Sequence, residues 1–159
     1  MKYNFARFTQ EANAALNSAI ECAQDLGHTY IGSEHLLLGL VNTECAAGEI
    51  LSEFDISFDG LFKEIGEKIG QGNKTSLTTE HLTPRANNII ENAVRIARHQ
   101  GIQKAGSEHI LFALISEYDN YAIKFLSNMG VDIEELQQKT VEALNVNSSK
   151  PEEYGFSQH

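Results

Sequence analysis

The sequence Gly-Ser-Glu-His-Leu-Leu at residues 32–37 recurs as Gly-Ser-Glu-His-Ile-Leu at residues 106–111, and this repeat is the main indication of the fold. The two copies lie 74 residues apart along the chain. The same spacing relates Thr9 to Thr83, each of which follows an apolar residue and precedes a short run ending in alanine. A constant spacing between similar stretches is the sign of a duplicated structural unit. The sequence therefore predicts two copies of one unit, related by a pseudo-two-fold axis.

The first helix of each copy is marked at both ends. After Thr9, apolar residues recur three and four positions apart until Gly27, which is typical of an amphipathic helix with an N-cap and a glycine stop. Thr83 opens the equivalent run, which ends at Gly101. We expect both threonines to cap their helices.

The remaining segments predict three further helices in each copy. Ser33 and Ser107 are expected to cap a short second helix that is apolar nearly all round, as is typical of a helix at the centre of a bundle. No stretch alternates polar and apolar residues in the manner of a strand. The predicted fold class is all-α, with about eight helices in one compact domain. The third and fourth helices are expected near 46–54 and 58–69 in the first copy, and near 121–129 and 132–144 in the second.

The domain boundaries follow from the repeat. The double-repeat domain is predicted over 6–145, with repeat one at about 6–70, a linker at 71–81 and repeat two at about 82–145. Residues 146–159 lack the helical pattern and indicate a linker or disordered tail.

Composition excludes several classes of partner. Twelve Lys and Arg against 22 Asp and Glu give a net charge of -10, which repels nucleic acid and anionic membranes. No segment has the ~20 consecutive apolar residues of a membrane span, and the N-terminus lacks the apolar core of a signal peptide, so a cytoplasmic location is expected. The two cysteines, Cys22 and Cys45, are interpreted as small buried thiols.

The sequence offers no set of residues for catalysis. The stretch Gly-Asn-Lys-Thr at 72–75 lacks the glycine that a phosphate-binding P-loop needs before its lysine. Adjacent Glu34 and His35 point about 100° apart on a helix and cannot share one metal ion, and the same holds for Glu108 and its neighbouring histidine. No metal, cofactor or enzymatic activity is expected.

The repeated glutamate has two interpretations. A carboxylate in the first turn stabilises a helix through its dipole, by ~0.3 to 1 kcal/mol. Alternatively, a helix start that holds an anion, next to a carboxylate that holds a cation, suits a ligand with both charges, such as phosphorylated arginine. The sequence alone leaves both open.

The repeats resemble the N-terminal substrate-binding domain of ClpC-type AAA+ unfoldases, which is also found in ClpA, over roughly residues 6–145. The motifs that carry the resemblance lie at 7–9, 26–28, 31–40, 81–86 and 106–111. The resemblance implies a domain that receives protein substrates and adaptor proteins for a hexameric unfoldase, which threads them into the ClpP protease. ATP hydrolysis belongs to modules absent from this chain. The isolated domain is expected to be a monomer.

The resemblance also implies two phosphoarginine pockets. Carried over residue by residue, one involves Glu34 with Thr9 and the other Glu108 with Thr83. The carboxylates would pair with the guanidinium, while helix N–H groups and the threonine hydroxyls would hold the phosphate. The second copy departs from the pattern, with Ile102 where the first has histidine, so the Glu34 pocket is expected to be the stronger one.

Two other functions stay open at this level. The chain could be an adaptor-docking or regulatory module without a small-ligand pocket, either within an unfoldase or as a stand-alone protein. A stand-alone enzyme has the least support from the residues.

Overall fold

The computed structural model describes residues 2–117 and 119–148. Within these ranges the chain forms eight α-helices and a short 3-10 turn at Thr79–His81, so the all-α fold class is confirmed. The helices are α1 (Gln10–Asp25), α2 (Ser33–Val41), α3 (Ala46–Glu53), α4 (Phe58–Ile69), α5 (Pro84–His99), α6 (Ser107–Ser116), α7 (Tyr121–Asn128) and α8 (Ile133–Ser148). No helix of the described chain is long and apolar enough to cross a membrane.

The ends of α1 and α5 form as the sequence predicts. The Thr9 hydroxyl accepts a hydrogen bond from the Ala12 N–H at 3.2 Å, and the Thr83 hydroxyl accepts one from the Ala86 N–H at 3.0 Å. Each bond satisfies one of the N–H groups that a helix start leaves without a backbone partner.

The segments that precede the first and second helices of one unit pair with those of the other unit. Phe8, just before α1, forms a parallel bridge with Ala105, just before α6 of the other unit. Ile31, before α2, forms the equivalent bridge with Leu82, before α5. Each unit thus supplies a backbone segment to the other, which locks the helix starts of the two copies together.

The second helix of each copy lies in the core, as expected. Leu37 and Leu38 of α2 are fully buried, as are Leu111 and Leu114 of α6. α1 packs on α2, while α7 of the other unit covers α2 from a second direction; α3 contacts α6 in the matching way.

Close packing of α1 on α2 depends on Gly39. A Cβ atom at this position would lie 2.2 Å from the Ala15 carbonyl oxygen and 2.8 Å from the Ala19 nitrogen. The equivalent residue of the second unit is Ala113, so the absence of a side chain here is specific to the first unit.

Two segments differ from or extend the sequence prediction. α8 continues to Ser148, past the predicted end at Leu144, while the rest of the predicted tail, 149–159, lies outside the described residues. The linker after α4 is not detached, because Gly72 N–H donates to the Leu26 carbonyl and Thr75 N–H donates to the Gln24 carbonyl.

Both cysteines are buried thiols, as expected. Burial raises the pKa of Cys22 to about 11, which keeps this thiol protonated and unreactive at neutral pH.

Candidate functional site

The repeated serines do not cap their own helices. Ser33 and Ser107 are the first helical residues of α2 and α6, and glycines precede them at the N-cap position. The Ser33 hydroxyl instead accepts a hydrogen bond from the Ala122 N–H of α7 at 3.2 Å, and the Ser107 hydroxyl accepts one from the Ala47 N–H of α3 at 3.0 Å. Each serine therefore satisfies a helix start in the other unit, and the predicted capping role is corrected.

The repeated histidines complete the cap that the glycines leave open. Nδ1 of His35 accepts a hydrogen bond from the Gly32 N–H at 2.9 Å, and Nδ1 of His109 accepts one from the Gly106 N–H at 2.9 Å. This is the third-position half of a capping box, in which a side chain reaches back to the N-cap amide. Both imidazoles are almost fully buried.

Burial keeps these imidazoles neutral. It lowers the pKa of His35 to about 3, with a smaller contribution from the charge of His28, and lowers the pKa of His109 to about 4. A neutral ring can accept at Nδ1 only if its proton sits on Nε2. The histidines thus fix the backbone at the starts of α2 and α6, next to the glutamates. The Ser-Glu-His stretch therefore has a structural role.

The first unit extends this scaffold through a second histidine. His35 Nε2 lies 2.8 Å from His28 Nδ1, and His28 Nε2 lies 2.8 Å from the Gly70 carbonyl oxygen. Since His35 donates from Nε2, His28 accepts at Nδ1 and donates to Gly70. In the second unit, Ile102 replaces His28, and His109 Nε2 meets the Gln100 side-chain oxygen at 2.7 Å instead.

Glu34 is a buried carboxylate in the first turn of α2, with a side chain only 1% exposed. Its Oε2 accepts a hydrogen bond from the Tyr30 hydroxyl at 2.9 Å, and its Oε1 lies so close to Gly32 that a Cβ there would approach it to 2.8 Å. No ion pair joins it to any Lys or Arg of the described chain. Burial therefore raises the pKa of the Glu34 carboxyl, while its own backbone N–H, Tyr30 and His28 act in the opposite direction.

Glu108 occupies the equivalent position in α6. Its side chain is 7% exposed, and its Oε1 would lie 2.6 Å from a Cβ at Gly106. Both glutamates thus fold back over the glycine at the start of their helix, which requires the absence of a side chain at that position.

The threonines meet the glutamates across the units, not within them. Thr83 N–H donates to the Ile31 carbonyl at 3.0 Å, which places it beside the loop that carries Glu34. Thr9 N–H donates to the Ala105 carbonyl at 2.9 Å, beside the loop that carries Glu108. These bonds join Thr83 to the Glu34 loop and Thr9 to the Glu108 loop, whereas the pairings expected from the sequence are Glu34 with Thr9 and Glu108 with Thr83.

Three helix starts converge at each glutamate. The Glu34 site consists of Glu34, Ser33 and Thr83, where α2, α5 and α7 begin. The Glu108 site consists of Glu108, Ser107 and Thr9, where α6, α1 and α3 begin. A helix start carries about half a positive charge and exposes N–H donors, so each site combines an anion-binding environment with a buried carboxylate.

The surroundings of the two sites differ in charge. Lys124 of α7 lies 5.3 Å from the ring centre of Tyr121, and Arg85 of α5 pairs with Glu117 at 3.3 Å. The spacing of the repeat is 74 residues up to the second helix of each unit and 75 beyond it, so the residues equivalent to Arg85 and Lys124 are Glu11 and Glu49. Glu11 and Glu49 line a pocket of about 620 Å³ at the start of α3. The Glu34 side is therefore the less acidic of the two.

Thr9, Glu34, Thr83 and Glu108 stay candidate site residues, and three neighbours of the two glutamates were given no role from the sequence. Tyr30 was not singled out, although it stands four residues before Glu34. The capping role of His35 and His109 could have been read from the glycine three residues before each histidine, since a capping box has this spacing. Across residues 2–117 and 119–148, no group of three His, Cys, Asp or Glu side chains is arranged to hold a metal ion.

Comparison with known proteins identifies similar sequences along the chain. The model of the Clp repeat (R) N-terminal domain matches residues 7–95 and 81–158. The negative regulator of genetic competence ClpC/MecB of Bacillus subtilis is 39% identical over 146 residues, which are 91% of this chain and 18% of that protein. The chaperone protein ClpB of Oceanobacillus iheyensis is 36% identical over 96% of this chain and 19% of its own length. The chain thus spans less than a fifth of the length of these curated relatives.

Solved structures share the fold. The N-terminal domain of the caseinolytic protease associated chaperone ClpD from Arabidopsis thaliana superposes with a TM-score of 0.75 at 24% identity, covering 90% of this chain and 97% of that one. The Hsp104 N-terminal domain from Candida albicans gives a TM-score of 0.66 at 17% identity, covering 86% and 90%.

Proposed function

The chain belongs to the Clp repeat (R) N-terminal domain family, and from this premise we propose that it binds arginine-phosphorylated and unfolded proteins for a Clp unfoldase. As a Clp N-terminal domain it is a protein-interaction module. The unfoldase's ATPase modules, adaptor proteins and, indirectly, ClpP complete the proposed setting, in the cytoplasm.

One observation carries the phosphoarginine proposal. Glu34 is a buried carboxylate without an ionic partner among the described residues, and it lies where three helix starts meet. A buried carboxylate without a cation is costly, and a guanidinium offers the planar donor pair that best matches it. The phosphate on the same ligand would find the N–H donors of α2, α5 and α7.

Charge favours the Glu34 site over the Glu108 site for this ligand. A phosphate at the Glu34 site would have Arg85 and Lys124 nearby, whereas Glu11 and Glu49 occupy the equivalent places around the Glu108 site. Each like charge near a phosphate weakens binding, and each unlike charge strengthens it.

Tyr30 would compete with a ligand for the Glu34 carboxylate. The Tyr30 side chain is half-buried, and its hydroxyl occupies one carboxylate oxygen. A ligand guanidinium would compete with this hydroxyl for Glu34, so we expect Tyr30 to move when the ligand binds. The equivalent residue at the Glu108 site is Lys104.

Calorimetric titration of free phosphoarginine tests the proposal. We expect heat from the wild type, a loss of at least tenfold in affinity in Glu34→Gln, and a smaller loss in Glu108→Gln. Arginine and inorganic phosphate, titrated separately, serve as ligand controls because each carries only half of the recognised chemistry. Absence of heat with the wild type would refute phosphoarginine binding and leave an adaptor-docking module as the remaining function.

A further inference from the structure

We propose that the face of α1 carrying Asn13 and Asn17 is a binding site for extended protein segments, and that residues 2–7 occupy it as an internal stand-in. The inference rests on the proposed function in one respect, namely that the domain receives unfolded protein. Residues 2–8, termed the N-terminal strap, run along α1 before the helix begins.

Two asparagine side chains hold the backbone of the strap. Tyr3 N–H donates to Asn17 Oδ1 at 2.7 Å, and Asn17 Nδ2 donates to the Tyr3 carbonyl at 2.8 Å. Phe5 N–H donates to Asn13 Oδ1 at 2.6 Å, and Asn13 Nδ2 donates to the Phe5 carbonyl at 2.9 Å. Each amide thus binds both polar groups of one residue, as a neighbouring strand would.

The spacing of these contacts would suit any extended backbone, whatever its side chains. Residues four apart on a helix are about 6 Å apart along its axis, and residues two apart in an extended chain are about 6.6 Å apart. Asn13 and Asn17 therefore match every second residue of an extended segment that runs antiparallel to α1. Since the bonds go to the backbone, any non-proline residue can occupy the matched positions.

The strap side chains give the site its preference. Tyr3 and Phe5 are partly buried against the core, and the Phe5 ring meets Phe8 edge to face at 6.4 Å. Arg7 Nη2 donates to Glu91 Oε2 at 2.8 Å. The partner that fits is an extended segment with aromatic residues at alternate positions, followed by a basic residue, and the net charge of -10 favours the basic residue further.

The strap fills this site incompletely. An open pocket of about 620 Å³ is lined by Tyr3 and Asn4 of the strap and by Asn13, Ala14 and Asn17 of α1. The strap is held through its backbone and through half-buried side chains, so a partner segment whose side chains fill the pocket better can replace it.

The second unit lacks the pair of asparagines that holds the strap. Asn87 of α5 stands at the position of Asn13, but Glu91 replaces Asn17. One asparagine cannot match two alternate residues. The site belongs to α1 alone, and the exposed Asn128 of α7 provides a control.

The test uses a fluorescein-labelled peptide with the sequence of residues 2–7, Lys-Tyr-Asn-Phe-Ala-Arg, and follows its anisotropy. In Tyr3→Ala/Phe5→Ala the internal strap is weakened, and we expect this variant to bind the peptide at least tenfold more tightly than the wild type. Adding Asn13→Ala/Asn17→Ala should abolish that binding, whereas adding Asn128→Ala, at an exposed position of α7, should change it less than twofold. A peptide N-methylated at Tyr and Phe lacks the two donors and should not bind.

A second measurement covers the case in which Tyr3→Ala/Phe5→Ala does not fold. The intact wild-type chain is titrated with unlabelled peptide to millimolar concentration while the Tyr3 and Phe5 amide resonances are followed by NMR. We expect these resonances to move to unfolded positions as the peptide replaces the strap. Unmoved resonances, or peptide binding that ignores the Asn13 and Asn17 changes, would overturn the inference. Phosphoarginine calorimetry on the same proteins separates this outcome from failure of the proposed function, because the peptide carries no phosphate.

Discussion

Replacing His109 by glutamine should flatten the acid dependence of stability. Glutamine at the third helical position can still accept the Gly106 N–H, as in a capping box, but it does not titrate. The imidazole titrates with a pKa of about 4 in the folded chain and 6.5 when unfolded. The substitution therefore removes one proton-linked term while keeping the cap.

The magnitude follows from linkage. Because the folded-state pKa of His35 and His109 lies below the unfolded value, each ring contributes its full stabilisation above pH 6.5 and loses it as the pH falls towards 3 and 4. Between pH 7 and pH 5 the loss is about 2 kcal/mol per ring, since one proton over one pH unit is worth about 1.4 kcal/mol. We expect the wild type to lose about 4 kcal/mol and His109→Gln about 2 kcal/mol. The raised pKa of Glu34 acts in the opposite direction and is common to both proteins.

Urea unfolding at pH 7, 6 and 5, followed by circular dichroism, measures these losses. Substitution of the exposed His99 by glutamine is the control and should leave the wild-type slope unchanged. If His109→Gln and the wild type lose stability in parallel between pH 7 and pH 5, the assignment of His109 as a buried neutral cap is wrong.

Three further changes test other parts of the structure. Ser33→Ala and Ser107→Ala should each lower the free energy of unfolding by about 1 kcal/mol through lost cross-unit caps, whereas the exposed Ser127→Ala should change it by less than about 0.5 kcal/mol; equal effects from all three would argue against the caps. Gly39→Ala should cost about 1–3 kcal/mol by forcing α1 from α2, while Ala113→Gly at the equivalent position should cost about 1–2 kcal/mol from helix propensity and the loss of a buried methyl group; a neutral Gly39→Ala in chemical denaturation would contradict the close packing. Tyr30→Phe should tighten phosphoarginine binding about fivefold by removing the hydroxyl that occupies Glu34, and weaker binding in calorimetry would show that this hydroxyl helps the ligand instead.

Local features of the fold were predictable from the sequence because their causes are local. Thr9 and Thr83 cap the helices that directly follow them, and the apolar periodicity behind each threonine defines the buried face. The repeat also located both glutamates at helix starts.

Long-range pairings were not predictable. Ser33 meets a partner 89 residues away, and Ser107 meets one 60 residues away, so no neighbouring residue indicates either bond. Pairing between segments of the two units places Thr83 beside the Glu34 loop. A repeat by itself favours pairing a threonine with the glutamate of its own copy. A duplicated sequence reveals equivalent residues but not which copies touch.

The duplicated units have also diverged around the two glutamates. Tyr30, Arg85 and Lys124 surround the first site, and Lys104, Glu11 and Glu49 hold the equivalent positions around the second. The scaffold of glycine, serine and histidine is kept in both. The two units thus keep the same backbone arrangement around the glutamate but differ in the charged residues near it.

Phosphoarginine affinity across a set of threonine variants tests the composite Glu34 site most directly. In a Glu108→Gln background, which isolates this site, Thr83→Val should weaken binding by at least tenfold, because a hydrogen bond to a charged ligand is worth about 1.5–3 kcal/mol. Thr9→Val loses an equivalent helix cap and should change the affinity by less than twofold. The reverse order, with Thr9 required and Thr83 dispensable, would contradict a site built across the two units.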